Sequence, residues 1–343
     1  MEFKAIDLFS GAGGLTMGLK QAGFKVIAAV EFNPEAAASY VLNHRKTKMY
    51  LADICLLDPY EVMSDLKMKV GELDLLAGCP PCQGFSTHRT RRKILAVEDK
   101  RNDLIFKFMD YVRAFLPKTI LVENVPALST DVRMLKVLQE LQELGFWIDE
   151  DSVKVENASQ YGVPQRRKRM VLRASRFGKI PEPAVLNKNI TVREAIGHLP
   201  IAGQSGDVLH DYPENRTSKV QDIIKMIPKN GGSRRELPRE YWLPCHLKRP
   251  NSYNDVYGRM RWDDVAPTMT GGCTNPSKGR FLHPEENRAI TMREAAILQS
   301  FPDNYQFCLD KGKDSVSLMI GNAIPPRLIK VHAGEFKRHL LGI

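Results

Sequence analysis

From residue 3 to residue 144, apolar runs short enough for buried strands alternate with stretches of helical periodicity. That alternation constrains the chain to a parallel sheet with right-handed helical crossovers. The spacing predicts strands over residues 3–9, 26–30, 49–52, 73–77 and 119–122. It predicts helices over 13–22, 34–43, 102–115 and 131–144, with Pro34 at a favourable first-turn position. From about residue 177 to 289 the texture changes: Pro, Gly, Asn and Arg become frequent, and the helices predicted there are short, for example over 191–196 and 218–226. Regular patterning returns over 291–299 and 326–340. The expected class is α/β, with residues 1–176 and 291–343 in a large domain and 177–290 in a smaller, irregular one.

The length of 343 residues agrees with two domains, at roughly 150 residues each. With 43% hydrophobic and 26% charged residues the chain can bury a core, which excludes wholesale disorder. No apolar run approaches the ~18 residues that span a bilayer, and the N-terminus carries no secretory pattern. A protein of the cell interior, with no membrane partner, is expected. The net charge is +10, and its distribution is informative. Residues 88–101 hold six basic and two acidic side chains, and residues 165–176 hold six basic and no acidic ones. Those two segments equal the whole surplus and point to a polyanion.

The six cysteines are irregularly spaced, which argues against a disulfide framework. Cys79-Pro80-Pro81-Cys82 stands out. It could be half of a zinc site, but no second pair follows, and Cys245-His246 complements it poorly. It could also be a redox pair, or two structural thiols.

Every inferred strand ends in a polar or reactive group, where open α/β sheets bind ligands. These are the run from Asp7 to Gly14, then Glu31, Asp53, the Cys79–Gln83 segment, and Glu123-Asn124-Val125. Gly11, Gly13 and Gly14 allow a sharp turn and close approach of a ligand to the backbone. The turn is not a full GxGxxG, because Thr16 takes the third glycine position. Glu31 follows Gly11 by 20 residues, a spacing that suits ribose hydroxyls, and Asp53 is placed to accept from an adenine amino group. Singly, such carboxylates are commonly solvated strand ends; together, with no lysine-bearing phosphate cradle, they favour a nucleoside pocket.

The segments FSGAGG, Glu31, Asp53, GCPPCQGFS, ENV, QRRKR, REAAILQSFP and GNAIPP occur in this order. In this the chain resembles the DNA (cytosine-5)-methyltransferases of bacterial restriction–modification systems, over about residues 3–175 and 291–341. The resemblance implies a Rossmann-like S-adenosylmethionine-dependent methyltransferase sheet with a target-recognition domain at 177–290. It implies cofactor contacts from Phe9, Gly11, Gly13, Gly14, Glu31, Phe32, Asp53, Ile54, Pro81, Leu104 and Asn322, with S-adenosylhomocysteine as product. Asn322 lies in GNAI, a slight departure from the commoner GNSV. Cys82, not Cys79, matches the nucleophile. The family usually has Gly or a small or aromatic residue where Cys79 stands, so Cys79 reads as a small packing residue.

The chemistry explains those residue types. Carbon 5 of cytosine is a poor nucleophile, and a thiolate added to carbon 6 turns the ring into an enamine. The charge that accumulates at N3 is quenched by a carboxylic acid, the role that falls to Glu123, which must carry a proton in the complex. Asn124 holds the loop, and Arg167 and Arg169 are expected to fix the base, its sugar–phosphate and Glu123. The base must be flipped out of the duplex. The basic loop with Ser86, Arg89, Arg91, Arg92 and Arg101 is expected to close over the DNA. Further DNA contacts are expected from Gln165, Arg234, Arg235, Lys248, Arg249, Arg259, Arg261 and Thr268, the last beside the flipped base with Met269. Double-stranded DNA is the expected partner of a monomeric, cytoplasmic enzyme without a metal, and the resemblance allows a cognate restriction endonuclease. Three other readings stay open: a transfer-RNA cytosine-5 methyltransferase, whose Cys-Phe-Thr signature is not found; a catalytically silent DNA-binding module, against which intact Cys82, Glu123, Arg167 and Gln165 count; and a disulfide oxidoreductase, which leaves Glu31, Asp53 and QRRKR without purpose.

Overall fold

The computed structural model describes residues 2–81, 103–248 and 250–342. In chain order the first elements are β1 (Lys4–Leu8), α1 (Gly14–Gln21), β2 (Lys25–Glu31), α2 (Pro34–Asn43), β3 (Lys48–Leu51), α3 (Pro59–Asp65) and β4 (Leu75–Gly78). Then come α4 (Leu104–Phe115), β5 (Thr119–Asn124), α5 (Val132–Glu143), β6 (Val153–Asn157) and β7 (Lys168–Ser175). The remaining helices are α6 (Val192–Ile196), α7 (Ser218–Met226), α8 (Pro244–Lys248), α9 (Met292–Leu298), α10 (Gly312–Asn322) and α11 (Pro326–Leu341).

The chain divides into two compact units. The first comprises Met1–Tyr161, Lys168–Val185 and Ile324–Ile343. It holds a seven-stranded sheet in the order β3-β2-β1-β4-β5-β7-β6. The pairs among β1 to β5 are parallel, as the alternation requires. β1 and β4 are neighbours from which the order runs in opposite directions, so the crevice for a ligand opens at their carboxyl ends. Ile6, Leu76, Phe108, Val112, Val122 and Leu172 lie in one buried core that seats these strands.

The sheet is not wholly parallel. β6 and β7 were not among the expected strands, and β7 runs antiparallel to both β5 and β6. Charge hides β7: its span lies in the basic segment, yet every residue from Met170 to Ser175 is buried. Arg173 can be buried there because Nη2 donates to the Asp151 carbonyl at 3.1 Å and Nη1 lies 3.9 Å from Glu156. Close backbone approach fixes α1 against α11. A Cβ on Gly18 would stand 2.4 Å from the Pro326 carbonyl oxygen and 2.5 Å from Ile329 Cβ, so only glycine fits.

The second unit comprises Gly162–Arg167 and Leu186–Ala323. It is mostly irregular, with short helices capped by side chains; Thr191 with Glu194, and Thr291 with Glu294, form capping boxes at α6 and α9. A small cluster of Ile223, Ile224, Leu237, Val256 and Leu282 is its apolar centre. The boundaries differ from those read in the sequence. Residues 291–323 were expected in the first unit but group with the second, and only α11 belongs to the first. The reason is bonding. His210 Nδ1 meets the Thr291 hydroxyl at 2.9 Å, the Thr274 and Ser317 hydroxyls meet at 2.6 Å, and Arg288 donates to Glu294 at 2.7 Å, so residues 291–323 are tied to the 186–290 stretch.

Candidate active site

The turn after β1 is built from left-handed backbone: Phe9, Gly11 and Gly13 have φ of 61°, 54° and 94°. Nothing lies within 4 Å of where a Gly11 side chain would start, so the turn leaves open space beside its backbone. Thr16, which replaced the third glycine, has a structural reason to be there. Its backbone N and Oγ1 donate to Asp7 Oδ2 at 3.1 and 2.6 Å, and its hydroxyl meets the Tyr40 hydroxyl at 2.8 Å. Asp7 is fully buried, and burial pushes its carboxyl up to about 7 against the bonds from Thr16. Sequence reasoning placed Asp7 at the head of this polar run but gave it no role of its own.

Glu31 ends β2 and ties two turns together. Oε2 accepts from the Gly11 N–H and Oε1 from the Asn33 N–H, both at 2.7 Å. Each oxygen keeps a second lone pair for a ribose hydroxyl. Beside it Phe32 is 72% exposed, an aromatic face with no protein covering it. Asp53 is exposed, with Oδ1 accepting from the Cys55 N–H at 2.9 Å, and Ile54 is buried. Gly14 is buried at the start of α1, while Pro81 and Leu104 are half-buried at the end of the β4 loop and the start of α4. Two carboxylates, an open glycine turn and an exposed ring fit an adenosine-bearing ligand. Asn322 is exposed and belongs to the second unit.

Glu123 lies at the end of β5, 7% exposed. Arg169 on the neighbouring strand places Nε 2.8 Å from Glu123 Oε1. Asn124 Nδ2 donates to the Pro80 carbonyl at 2.8 Å, and its Oδ1 accepts from the Val125 N–H at 2.8 Å. Asn124 thus pins the diproline to the end of β5. Cys79 lies half-buried just past β4, beside the Gly78–Val122 pair that joins β4 to β5; burial, then the negative charges of Glu123 and Asp7, push its thiol well up. Cys82, Ser86, Arg89, Arg91, Arg92, Arg101 and Arg249 lie outside the described residues.

Four expectations are corrected. Arg167 was expected beside the base with Arg169. It is buried in the second unit instead, donating to the Met269, Gly321 and Ala323 carbonyls at 2.8, 2.9 and 3.0 Å. Gln165, expected on DNA, is fully buried; its Oε1 accepts from the Met269 N–H at 2.7 Å. Arg259 is 0% exposed, and its guanidinium donates to the carbonyls of Ile227, Ile224, His283 and Glu286. Arg234 is 2% exposed, donates to the Ser252 carbonyl at 2.7 Å and lies 5.1 Å over the Trp242 ring. None of the four presents its polar end to solvent. Arg235, Lys248 and Arg261 are exposed, Arg235 bonding to Asn254, and Thr268 donates to the Arg166 carbonyl. His283, Glu286 and Glu294 gather their ligand atoms within 4.8 Å. Arg288 bonds both carboxylates, at 2.7 Å, so the group is an internal ion network.

Comparison with known proteins agrees with this geometry. The family model for C-5 cytosine-specific DNA methylases matches residues 3–338. The chain is 37% identical to the type II methylase M.HgiDII of Herpetosiphon aurantiacus, with 98% of this chain and 96% of that one aligned. It is 33% identical to the type II methyltransferase M1.HphI of Haemophilus parahaemolyticus, with 97% and 86% covered. Among solved structures, the S. pombe Dnmt2 methyltransferase superposes over 100% of both chains with a TM-score of 0.62 at 18% identity, a likeness of fold. The chain belongs to the C-5 cytosine-specific DNA methylase family.

Proposed function

We propose that this chain methylates carbon 5 of a cytosine flipped out of a specific site in duplex DNA, using S-adenosylmethionine. The observation that carries the reading is the end of β5, where Glu123 is held by Arg169 while Asn124 pins the diproline that precedes Cys82. The Cys82 thiolate adds to carbon 6, and N3 takes a proton from Glu123. When bound, S-adenosylmethionine supplies the electrophilic methyl group that carbon 5 attacks. Loss of the carbon-5 proton to water or hydroxide then expels Cys82, and N3 returns its proton to Glu123. The residues that hold the cofactor are Gly11, Gly13, Glu31, Phe32, Asp53 and Ile54. The first unit is the catalytic one, and the second reads the target with exposed cations such as Arg235 and Arg261. A cognate endonuclease acting on the same site, a monomeric state and a cytoplasmic location complete the reading. Among the described residues no helix is long and apolar enough to cross a membrane.

Bisulfite sequencing of a host genome expressing the chain tests activity, product and target together; a genome without new 5-methylcytosine refutes the reading. Cys82→Ser is expected to abolish methyl transfer to duplex DNA, and Glu123→Gln to slow it about a hundredfold or more. Tritiated methyl incorporation measures both, and label entering transfer RNA instead of duplex DNA would favour the RNA-modifying alternative.

A further inference from the structure

We propose that His44 is a positioning residue for the turn after β1, holding the Gly13 carbonyl so that the backbone from Gly11 to Gly14 keeps the shape that receives S-adenosylmethionine. The inference rests on the assignment of that turn to the cofactor. His44 ends α2 as its C-cap and is 1% exposed. Its Nε2 lies 3.3 Å from the Gly13 carbonyl oxygen, and its Nδ1 lies 3.3 Å from Lys20 Nζ on α1. Those partners fix the tautomer. An ammonium only donates and a carbonyl only accepts, so Nδ1 is the acceptor and Nε2 carries the hydrogen. Burial, then the Lys20 charge, push the ring down to about 3, so it stays neutral and keeps that arrangement. The ring stands edge-on to Tyr40, with centroids 4.7 Å apart, and the Tyr40 hydroxyl meets Thr16 Oγ1 at 2.8 Å.

The turn is anchored at its entry, where the Ser10 N–H donates to the Val30 carbonyl at 3.0 Å and the Gly11 N–H to Glu31 at 2.7 Å. At its exit stands Gly13, the N-cap of α1, left-handed and without a side chain to cap the helix. Its carbonyl accepts from the Met17 N–H at 2.9 Å within α1, and His44 ties the same carbonyl to α2. Val30 and Glu31 end β2 and His44 ends α2, so one stretch of chain grips the turn at both ends and leaves Gly11 open between them. The Gly13 carbonyl and the Gly14 N–H share a peptide plane, so fixing the first aims the second. Glycine loses more freedom on ordering than any other residue, and a turn braced in advance meets its ligand already ordered.

The test compares His44→Leu with His44→Gln in the full-length protein. Leucine fills a similar volume without a donor, whereas the glutamine amide can donate from near the place of Nε2 while its oxygen accepts from Lys20. Calorimetric titration with S-adenosylhomocysteine reads binding without turnover. The leucine variant is expected to bind it about fivefold more weakly, the worth of one ordinary hydrogen bond. KM for S-adenosylmethionine should rise alike, with kcat and KM for unmethylated plasmid DNA within about twofold of the parent. The glutamine variant is expected to bind within about twofold of the parent. A packing role predicts the reverse order, because a buried niche tolerates leucine better than glutamine. Leucine binding as tightly as the parent, or glutamine more weakly than leucine, overturns the proposal. So does an equal rise in KM for both substrates, the mark of general damage. If the leucine variant does not fold, the glutamine variant decides: in folded protein a loss of about fivefold or more overturns the proposal, and a smaller one upholds it. The parent separates the two failures. If it binds no S-adenosylhomocysteine, the assignment of the turn to the cofactor falls and this inference with it.

Discussion

Arg259 and Arg261 stand two positions apart and meet opposite environments. Arg259 organises four backbone carbonyls inside the second unit, whereas Arg261 is exposed. Arg259→Met is expected to destabilise the protein by about 3 kcal/mol or more, read as a lowered urea midpoint, because it strands several buried acceptors. Arg261→Ala is expected to change stability by no more than about 0.5 kcal/mol and to weaken plasmid binding. Asp7 makes a pH prediction. Its carboxyl is raised from 3.8 to about 7 in the folded chain, so the folded state holds a proton that the unfolded state releases. That stability is fully present below pH 3.8 and is lost as pH rises to about 7. In Asp7→Asn, urea midpoints should fall less over that interval; an unchanged slope refutes the assignment. Much of the site was readable as residue types at strand ends: Glu31, Asp53 and Glu123 need only a correct strand. Burial was not. An arginine in a basic, loop-rich stretch reads as a DNA contact, and nothing local in the sequence tells that Arg234 and Arg259 turn inward.

At the scale of elements, periodicity carried most of the prediction. Helix α2 begins where Asn33 can cap it, its Oδ1 accepting from the Ala36 N–H at 2.8 Å, and spans the expected residues. α3 had the same kind of signal, Asp58 before Pro59, but at seven residues its periodicity is too short to register. β6 and β7 escaped because strand patterns are sought in apolar alternation, and β7 carries Lys168, Arg169 and Arg173. Two of these charges have partners in the fold that the sequence does not display, Glu123 for Arg169 and Glu156 for Arg173. The contact of α1 with α11 gives an element-scale prediction. Gly18→Ala should destabilise the protein by about 1–3 kcal/mol despite alanine's better helix propensity, because the added methyl overpacks the crossing. A raised thermal midpoint would show that the two helices can separate without penalty.

For the whole molecule, the surplus of +10 is a statement about DNA affinity. Binding to duplex DNA should weaken steeply with salt, and reversing Arg89, Arg91 and Arg92 should flatten the log–log slope by about 0.9 for each phosphate contact removed. Fluorescence titration across salt concentrations measures it; an unchanged slope places those arginines away from phosphate. The division of the chain has a consequence of another kind. A six-residue segment, Gly162–Arg167, is separated in sequence from the rest of the second unit yet belongs to it. Arg167 binds three main-chain carbonyls there, and Gln165 binds the main chain of Leu298 and Met269. Main-chain groups are the same in every sequence. Gln165 also bonds the Gln299 side chain and Arg166 the Asp264 carboxylate, so the larger piece can diverge at most side chains other than these and still be grasped by the same short hook. On the proposed reading, in which the second unit reads the target, such divergence would let one catalytic unit serve different recognition sequences.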